Sequence, residues 1–419
     1  MNKIRKKRIS LGIIIDTDYK IPPVTGVTYR LYYLSKRLTE KGMNVKIFVC
    51  NRNLENKNDE KLLYENSQLE YHVIPEAVFY DKLRLLEIIK NQNLDILQFE
   101  DAVSVLRYKN IFETLKIPVC LELHDVESSL KEMLNYCDND INKSNEITKK
   151  ACNLANVIVC MTPLDYSELI NKIGVDKNKL VIIPNPIDLN TFNFFGPNIK
   201  SDNIIFIGNM FYWPNKNAAL NIINKVVPEV ISTNKNVKFY FVGMVPEKMK
   251  KLGDESVIFT GKIKNLSRYL EKATIALCPV HEGSGMKVKI LNYCAAGIPV
   301  ITTDIGSSGY EKVKSLITEN EIANYPVIIS DLLKNKKKIV RIGKSNRKSV
   351  EKYFDVNLFS EKIIKIYENI LKNNTYKNKL GNCEVPLPFW LDERRINKSN
   401  NKNYYIIKNG KTIFKKKIT

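Results

Sequence analysis

One segment indicates how the second half of the chain folds: His281-Glu-Gly-Ser-Gly-Met-Lys-Val-Lys-Ile-Leu-Asn-Tyr-Cys-Ala-Ala-Gly-Ile-Pro-Val-Ile-Thr-Thr303. An apolar run over residues 275–280 precedes it and predicts a buried strand. Gly283 and Gly285 then predict a tight loop in which the backbone turns closely. The segment therefore begins as a strand that ends in a glycine-rich loop.

The rest of this segment predicts a helix and a second strand. Apolar residues recur at i and i+4 over 286–296, and Gly297 followed by Pro299 is typical of a helix end. In such a strand–loop–helix unit, free backbone N–H groups and a helix N-terminus can stabilise a phosphate. Lys287 or Lys289 would add a positive charge. The alternative is an ordinary strand–helix–strand unit in which the glycines only turn the chain.

Length and composition predict two globular domains. The chain has 419 residues, of which 44% are hydrophobic and 26% charged. Residues 3–15 superficially resemble a signal peptide, but the apolar run is short and ends at Asp16 without a cleavage site, so we predict a first strand there. The eight cysteines form no Cys-x-x-Cys pair, which favours a reduced, cytoplasmic compartment.

The basic residues are concentrated at the two ends of the chain. The net charge is +21; five basic residues precede the first acid, Asp16, and nine follow the last acid, Glu393. A compositional bias toward lysine accounts for the charge of the body. For the tails we hypothesise a peripheral contact with anionic membrane, at its cytoplasmic face, and we expect no nucleic-acid partner.

Strand and helix patterns alternate twice along the chain, which predicts two Rossmann-like α/β domains in tandem. Breaks at 184–186 and 196–198 indicate the linker between them. The pattern around Asn409-Gly410 predicts a terminal hairpin over 404–414. The predicted units are an N-terminal Rossmann-like domain over residues 1–195 and a C-terminal Rossmann-like domain over 201–350. A helix that packs back on the first domain follows over 351–373, and a basic extension over 376–419.

Over roughly residues 8 to 373 the chain resembles glycosyltransferase family 4, a family of GT-B glycosyltransferases, and four segments carry the resemblance. The most specific is Gly283 to Thr303, which is similar to the family pattern GSGxxxKxLEAMAxGxPVVxT. The other three occur in the family's order along the chain: His124-Asp-Val-Glu-Ser128, Val181-Ile-Ile-Pro-Asn-Pro-Ile-Asp188 and Phe206-Ile-Gly-Asn-Met-Phe-Tyr-Trp-Pro-Asn215. The resemblance implies two Rossmann-like domains that face each other across a cleft.

The resemblance also implies a donor site in the second domain. It assigns Lys289 to the family's catalytic lysine, which would offset the charge of the leaving diphosphate. The further donor-binding positions are Gly208, Asn209, Glu282, Gly283, Ser284, Gly285, Met286, Lys287 and Asn292. Asn292 departs from the family, which has a glutamate that accepts both ribose hydroxyls, whereas an amide accepts through one oxygen. Glu282 is either its substitute or a solvated loop acid.

In the first domain the resemblance assigns His124, at the end of a predicted strand, to a contact with the donor sugar near the reaction centre. Thr25 and Gly26 match the loop that faces the acceptor. Glu127 either contacts the acceptor or caps a helix. The alternative for His124 is a satisfied core or capping residue, but ligands bind at the carboxyl ends of parallel strands.

The predicted function is transfer of a sugar from a nucleotide-sugar donor to an acceptor hydroxyl, with retention at the anomeric carbon. We expect a saccharide or lipid-linked acceptor in cell-surface polysaccharide or glycoconjugate synthesis. We expect the donor to be a co-substrate, with no cofactor and no metal site, because His and Cys lack metal-ligand spacing. The alternatives are a sugar-nucleotide epimerase of the same fold and a non-catalytic nucleotide-sugar-binding protein.

Overall fold

The protein is described by a computed structural model over residues 8–16, 26–51, 69–372, 403–408 and 411–417. Within these residues the chain forms two mainly parallel sheets, one in each half, with helices between successive strands. Among the described helices, none is both long enough and apolar enough to cross a bilayer.

Among the described residues, the first half has seven parallel strands and eight helices. Its strands are β1 (Ser10–Ile15), β2 (Asn44–Asn51), β3 (Glu70–Pro75), β4 (Ile96–Phe99), β5 (Val119–Leu123), β6 (Val157–Cys160) and β7 (Leu180–Ile182). Its helices are α1 (Gly26–Glu40), α2 (Glu76–Phe79), α3 (Lys82–Lys90), α4 (Ala102–Arg107), α5 (Lys109–Leu115), α6 (Glu127–Met133), α7 (Asp138–Leu154) and α8 (Pro163–Asn171), and a 3₁₀ turn lies at Lys177–Lys179.

The first sheet has the order β15-β14-β3-β2-β1-β4-β5-β6-β7. The central strands are continuous apolar runs because helices cover both faces of the sheet, and all six residues of β1 are buried. The order reverses between β1 and β4, where the crevice of an open α/β sheet forms. The first domain therefore presents the ends of β1, β4 and β5 to a ligand.

The second half repeats this architecture with six strands. Its strands are β8 (Asn203–Ile207), β9 (Lys238–Val242), β10 (Val257–Gly261), β11 (Ile275–Cys278), β12 (Val300–Thr302) and β13 (Ile317–Thr318), in the order β10-β9-β8-β11-β12-β13. Its helices are α9 (Trp213–Asn221), α10 (Val227–Thr233), α11 (Glu247–Lys250), α12 (Ser267–Leu270), α13 (Val288–Ala296), α14 (Asp304–Ser307), α15 (Tyr325–Lys334) and α16 (Lys336–Tyr353).

One predicted helix start is wrong, and one helix has no bounds predicted from the sequence. The helix predicted from Met286 begins at Val288, because Lys287 has an extended backbone and its side chain turns back onto the loop. The bounds of helix α16 could not be predicted because eight of its residues are basic and only four, Ile339, Gly343, Asn346 and Val350, are buried. A narrow buried face on a charged helix gives a weak apolar period in the sequence.

The last helix, α17 (Val356–Lys372), leaves the second half and packs beside α1 of the first. Tyr367 of α17 donates a hydrogen bond to Gln98 of β4, and Lys41 after α1 pairs with Glu361 at 2.9 Å. The packing is driven by one apolar face, which buries Val356, Phe359 and Ile363. A residue of the last helix thus reaches the centre of the first sheet.

The predicted hairpin is confirmed in its two strands. β14 (Asn403–Lys408) and β15 (Lys411–Lys417) pair antiparallel, and β14 also pairs antiparallel with β3 at the edge of the first sheet. Tyr404 contacts His72 through its hydroxyl at 2.5 Å, and Lys408 pairs with Glu70 at 2.8 Å. The predicted turn, Asn409-Gly410, lies outside the described residues, as does most of the basic extension.

Candidate active site in the cleft between the two sheets

The glycine-rich loop after β11 touches the first domain. Gly283 and Gly285 have φ values of +108° and +68°, which favour glycine. A Cβ on Gly285 would collide with the carbonyl oxygen of His124. Gly26, at the start of α1, approaches helix α13, which follows the loop, since a Cβ on Gly26 would lie 3.1 Å from Val288. The loop and the first domain therefore meet without room for another side chain at Gly285.

Lys287 holds the loop in shape. Its Nζ atom donates to the carbonyl oxygens of Gly283, Ser284 and Gly285 at 2.8–3.0 Å. Tyr310, fully buried, donates to the carbonyl oxygen of Lys287 at 2.9 Å. Burial lowers the pKa of Lys287 to about 8. Three carbonyl oxygens therefore fix a cation inside the loop that was predicted to bind an anion.

Lys289 lies in the first turn of α13 and points toward β8. Its Nζ atom donates to Oδ1 of Asn215 at 2.5 Å and lies 4.4 Å from the centre of the Phe206 ring. Burial lowers the pKa of Lys289. The lysine has no carboxylate partner among the described residues, so an amide and an aromatic face hold its charge. Because no carboxylate of the described residues neutralises it, this cation can bind a phosphate that enters the cleft.

Asn215 links Lys289 to the loop after β8. Its Nδ2 atom donates to the carbonyl oxygen of Asn209 at 3.1 Å, and its side chain lies against Gly208, where a Cβ would be 2.9 Å away. Gly208 donates its N–H to the carbonyl oxygen of Val242. Gly243 lies so close that a Cβ on it would collide with the carbonyl oxygen of Gly208. Asn209 is exposed, and its Oδ1 accepts from the backbone of Phe211. Gly208 and Asn209 thus lie beside Lys289.

Several polar atoms around the loop are buried without a hydrogen-bond partner in the described structure: Oδ1 of Asn185, Oε2 of Glu282, Oγ of Ser284 and Oδ1 of Asn292. The other carboxylate oxygen of Glu282 accepts from Asn217 at 3.3 Å. Asn185 also donates its backbone N–H toward the sulfur of Met286 at 3.2 Å. Buried polar atoms normally have partners, so a cluster of unpaired ones favours a ligand site here.

On the first-domain side, His124 belongs to a chain of paired side chains. Its Nε2 atom is 2.8 Å from Oε2 of Glu100, and Gln98 donates to Oε1 of Glu100 at 2.7 Å. Tyr367 of α17 donates to Gln98 in turn. Burial raises the pKa of Glu100, and the nearby Glu122 adds to this effect. This series of hydrogen bonds fixes the orientation of the His124 ring at the carboxyl end of β5.

A second buried pair supports the first. Arg30 of α1 donates from Nε to Oε2 of Glu122 at 2.8 Å and from Nη1 to the carbonyl oxygen of Pro184 at 2.7 Å. Glu100, Glu122 and His124 together have ligand atoms within 4.8 Å of one another, a composition that can hold a metal ion. Arg30 already compensates the charge of Glu122, which weakens that possibility. The absence of a metal from the reaction stays a prediction.

The structure gives less information on the three positions predicted to face the acceptor. Gly26 faces the start of α13, as described above, whereas Thr25 lies outside the described residues. Glu127 is the first residue of α6, is exposed and pairs with Lys131 at 2.9 Å. This pair accounts for Glu127 as a helix-terminal acid. Nothing in its contacts distinguishes it as an acceptor ligand.

The structure brings together residues that the sequence placed far apart and adds partners that the sequence did not identify. Glu100 directly follows β4, and Asn215 ends the quoted segment over 206–215, but the sequence gives neither a role. Asn185 lay in another such motif. Gln98, Arg30 and Tyr367 gave no local signal, because their pairing depends on strands and helices that are distant in sequence.

Two Rossmann-like domains that close on a glycine-rich loop define the class: this is a GT-B glycosyltransferase. The chain matches the family model described as glycosyltransferase family 4 over residues 24–191 and the one described as glycosyl transferases group 1 over residues 201–335. Together the two models match more than half of the chain, which belongs to this family. The predicted family and fold are confirmed.

Similar proteins include enzymes of sugar transfer. The phosphatidylinositol N-acetylglucosaminyltransferase GPI3 subunit of Saccharomyces cerevisiae is 20% identical over 409 residues, which covers 88% of this chain and 86% of that protein. Two solved structures share the fold. Anabaena HepE, solved with UDP and glucose, has a TM-score of 0.68 at 12% identity, covering 86% of this chain and 100% of HepE. Sucrose-phosphate synthase from Thermosynechococcus elongatus has 0.67 at 13% identity, covering 88% and 100%.

Proposed function

We propose that this glycosyltransferase moves a sugar from a nucleotide-sugar donor to an acceptor hydroxyl, with retention at the anomeric carbon and without a metal ion. The second domain would bind the donor and the first would bind the acceptor. The observation that carries the proposal is the unpaired, buried polar rim of the glycine-rich loop beside Lys289, directly opposite His124.

In the proposed reaction the protein positions the two substrates and stabilises the charge of the leaving diphosphate. The bond between the anomeric carbon and the diphosphate oxygen breaks, and the acceptor oxygen forms a bond to that carbon. The acceptor oxygen would attack from the face that the diphosphate leaves, which retains the configuration without a protein nucleophile. The acceptor proton can pass to the departing diphosphate, so no separate base is needed. Lys289 and the amides of the loop and of the α13 N-terminus would stabilise the negative charge that develops.

His124 would contact the donor sugar from the first domain. Its ring is oriented by Glu100, which accepts a hydrogen bond from Nε2 when that nitrogen carries the proton. The other ring nitrogen would then be free to accept from a sugar hydroxyl. Closure of the cleft would bring this group against the donor, since the His124 carbonyl already touches Gly285.

The donor nucleotide is supported by comparison. HepE was solved with UDP and glucose, and the GPI3 subunit is named as an N-acetylglucosaminyltransferase. We therefore propose a UDP-linked hexose or N-acetylhexosamine as the first donor to test. Asn292 differs from the glutamate that the family usually has, so its amide would make one fewer acceptor contact with a ribose.

The test is a thermal-shift panel of nucleotide sugars, followed by turnover with the strongest binder in the presence and absence of EDTA. We expect stabilisation by one nucleotide class, transfer to an acceptor that survives EDTA, and a product whose anomeric proton coupling by NMR matches the donor. No stabilisation by any nucleotide sugar would contradict the donor site. Conversion of the sugar nucleotide without acceptor would indicate the epimerase, and binding without turnover the non-catalytic protein.

We also propose a role in cell-surface polysaccharide or glycoconjugate synthesis, with peripheral contact to anionic membrane through the terminal hairpin. The outer strand β15 exposes Ile413 and Phe414 beside Lys415 and Lys416. Apolar side chains flanked by cations suit an anionic lipid surface. Co-sedimentation with phosphatidylglycerol vesicles that survives removal of residues 394–419 would contradict a contact through this extension.

A further inference from the structure

Three consecutive aromatic residues are exposed at the rim of the candidate donor site. Phe211, Tyr212 and Trp213 are 66%, 47% and 50% exposed, although the residues on either side of them, Met210 and Pro214, are buried. Isolated exposed apolar residues are ordinary, but a contiguous group of large ones on a folded domain marks a binding surface.

The backbone that carries these three side chains is held rigidly. Met210 donates its N–H to Met244 at 2.8 Å, and Tyr212 donates to the carbonyl oxygen of Asn209 at 3.1 Å. The N–H of Phe211 is bound by Oδ1 of Asn209, and Trp213 is the first residue of α9. The aromatic surface is therefore presented by a fixed turn, which lowers the entropy cost of binding.

This surface adjoins the glycine-rich loop. The hydroxyl of Tyr212 lies 3.7 Å from the position that a Cβ on Gly283 would occupy. Burial raises the pKa of Tyr212, and the charges of Asp125, in the first domain, and Glu282 add to the effect. Tyr212 thus stands between the two domains, next to the place where the proposed donor sugar would lie.

The chemistry around the aromatic surface suits a saccharide better than a lipid. A pyranose ring has an apolar face of C–H groups, which packs on an aromatic ring, and hydroxyls around its edge, which need polar partners. The charges of Asp125 and Glu282 act on Tyr212, and the exposed Asn209 accepts from the backbone N–H of Phe211. Nζ of Lys216 lies 5.8 Å from the centre of the Trp213 ring. Sugar hydroxyls can donate to the carboxylates and accept from the ammonium and amide groups, whereas an anionic headgroup would be attracted by Lys216 and repelled by the two carboxylates.

We propose that Phe211, Tyr212 and Trp213 form a platform for a pyranose ring of the acceptor, so that the acceptor is a glycan. The inference rests on the proposed transferase function and names its acceptor class. The platform lies on the second domain, whereas the first domain was proposed above to bind the acceptor. The acceptor would therefore contact both domains.

The first experiment uses Trp213 as its own reporter. The chain has two tryptophans, and the other one, Trp390, lies outside the described residues. In a Trp390→Phe variant saturated with the best nucleotide, we would titrate methyl glycosides of glucose, galactose, mannose and N-acetylglucosamine, and then maltose and cellobiose. We expect a saturable shift of Trp213 emission to shorter wavelength with at least one saccharide.

A shift with phosphatidylglycerol vesicles instead of any saccharide would overturn the proposal in favour of a membrane contact. The absence of a shift with an acceptor that the enzyme demonstrably glycosylates would overturn it as well.

The second experiment separates acceptor binding from donor binding. In Phe211→Ala and Trp213→Ala we expect the acceptor KM to rise about tenfold while the Kd of the nucleotide stays the same. The matched control is Tyr136→Ala, because Tyr136 is 51% exposed but follows α6 on the first domain. A rise in nucleotide Kd in place of acceptor KM would reassign the platform to the donor.

The two proposals fail in different ways. If no nucleotide sugar stabilises the protein and no transfer occurs, the proposed function is wrong. If the nucleotide binds and sugar is transferred, but both alanine variants keep the wild-type acceptor KM, only the platform is wrong.

Discussion

The two sides of the cleft satisfy their polar groups in different ways. On the first-domain side, His124 is paired with Glu100, and Glu122 is paired with Arg30. Around the glycine-rich loop, Glu282, Ser284 and Asn292 of the second domain each keep a buried oxygen without a partner in the described structure, as does Asn185 of the first domain. A side that is internally paired is fixed before the ligand arrives, whereas unpaired atoms gain when a ligand binds. We therefore propose that the paired groups around His124 are oriented in advance and that the atoms around the loop gain contacts from the ligand.

The largest expected effect tests the second-domain side. Lys289→Ala should reduce kcat by about 10²–10³-fold, because it removes the cation that would stabilise the leaving diphosphate. The free energy of unfolding should change little, since burial already disfavours the charged lysine. Steady-state turnover and a thermal melt measure the two quantities. Lys235→Ala, on an exposed lysine, is the control, and wild-type turnover in Lys289→Ala would remove the assigned role.

The next effect tests whether the two sides must touch. Gly285→Ala should reduce turnover by about 100-fold, because its Cβ would push the His124 carbonyl away and misplace the reacting groups. Gly42→Ala is the matched control: Gly42 also has a positive φ, +96°, but open space around it. Both variants should lose about 1 kcal/mol of stability through backbone strain, and Gly285→Ala should lose more because of the collision with His124. Equal turnover in the two would mean that contact across the cleft is dispensable.

A smaller effect tests the paired side. Glu100→Gln keeps the shape of the side chain but removes the charge that orients His124. We expect kcat/KM to fall about ten- to hundredfold, which corresponds to about 1.5–3 kcal/mol for a hydrogen bond to a charged group. The nucleotide Kd should not change, because Glu100 lies on the other side of the cleft. A loss of nucleotide affinity instead would show that the two sides do not act separately.

The pH dependence of donor binding tests Lys287. Its pKa is about 8, so the side chain is positive below that pH and loses its proton above it. Donor affinity should therefore be constant below pH 8 and fall above it, by at most about tenfold per pH unit. Nucleotide titration from pH 6.5 to 9.5 measures this change. In Lys287→Met the slope should disappear; an equally steep slope in the variant would assign it to another group.

The smallest effect concerns the unpaired amide. Asn292→Glu should tighten nucleotide binding by a few-fold, because a carboxylate offers a second acceptor to the ribose and forms stronger hydrogen bonds. Calorimetry with the best nucleotide measures the change, and Asn292→Gln separates the effect of length from that of charge. Weaker binding in the glutamate variant would show that the pocket is built around the amide oxygen.

Local patterns in the sequence predict much of the donor side. The strand before the loop, the glycines in it and the end of helix α13 at Gly297 all follow from residues that are neighbours in the chain. Gly297 has a φ of +79° and donates to Cys294, as a helix-ending glycine does. The start of that helix was predicted two residues early, because the long-range contacts of Lys287 outweigh its helix propensity.

The first-domain side could not be predicted in the same way. The sequence indicated that His124 follows a strand, but the partner that orients it, Glu100, comes from another strand, and Tyr367 comes from the last helix. Of the loop predicted to face the acceptor, only Gly26 lies among the described residues. Pairings of this kind depend on the order of strands in the sheet, and a strand pattern alone does not specify that order.

The sequence by itself determined the two α/β domains, the phosphate-ready loop and the lysine beside it, because periodicity and turn chemistry act over a few residues. Only the tertiary structure decided that Gly285 meets His124, that Lys289 is held by Asn215 and Phe206, and that three aromatic residues remain exposed at the rim. These contacts join segments tens to more than a hundred residues apart, and their energy depends on distances that the fold sets.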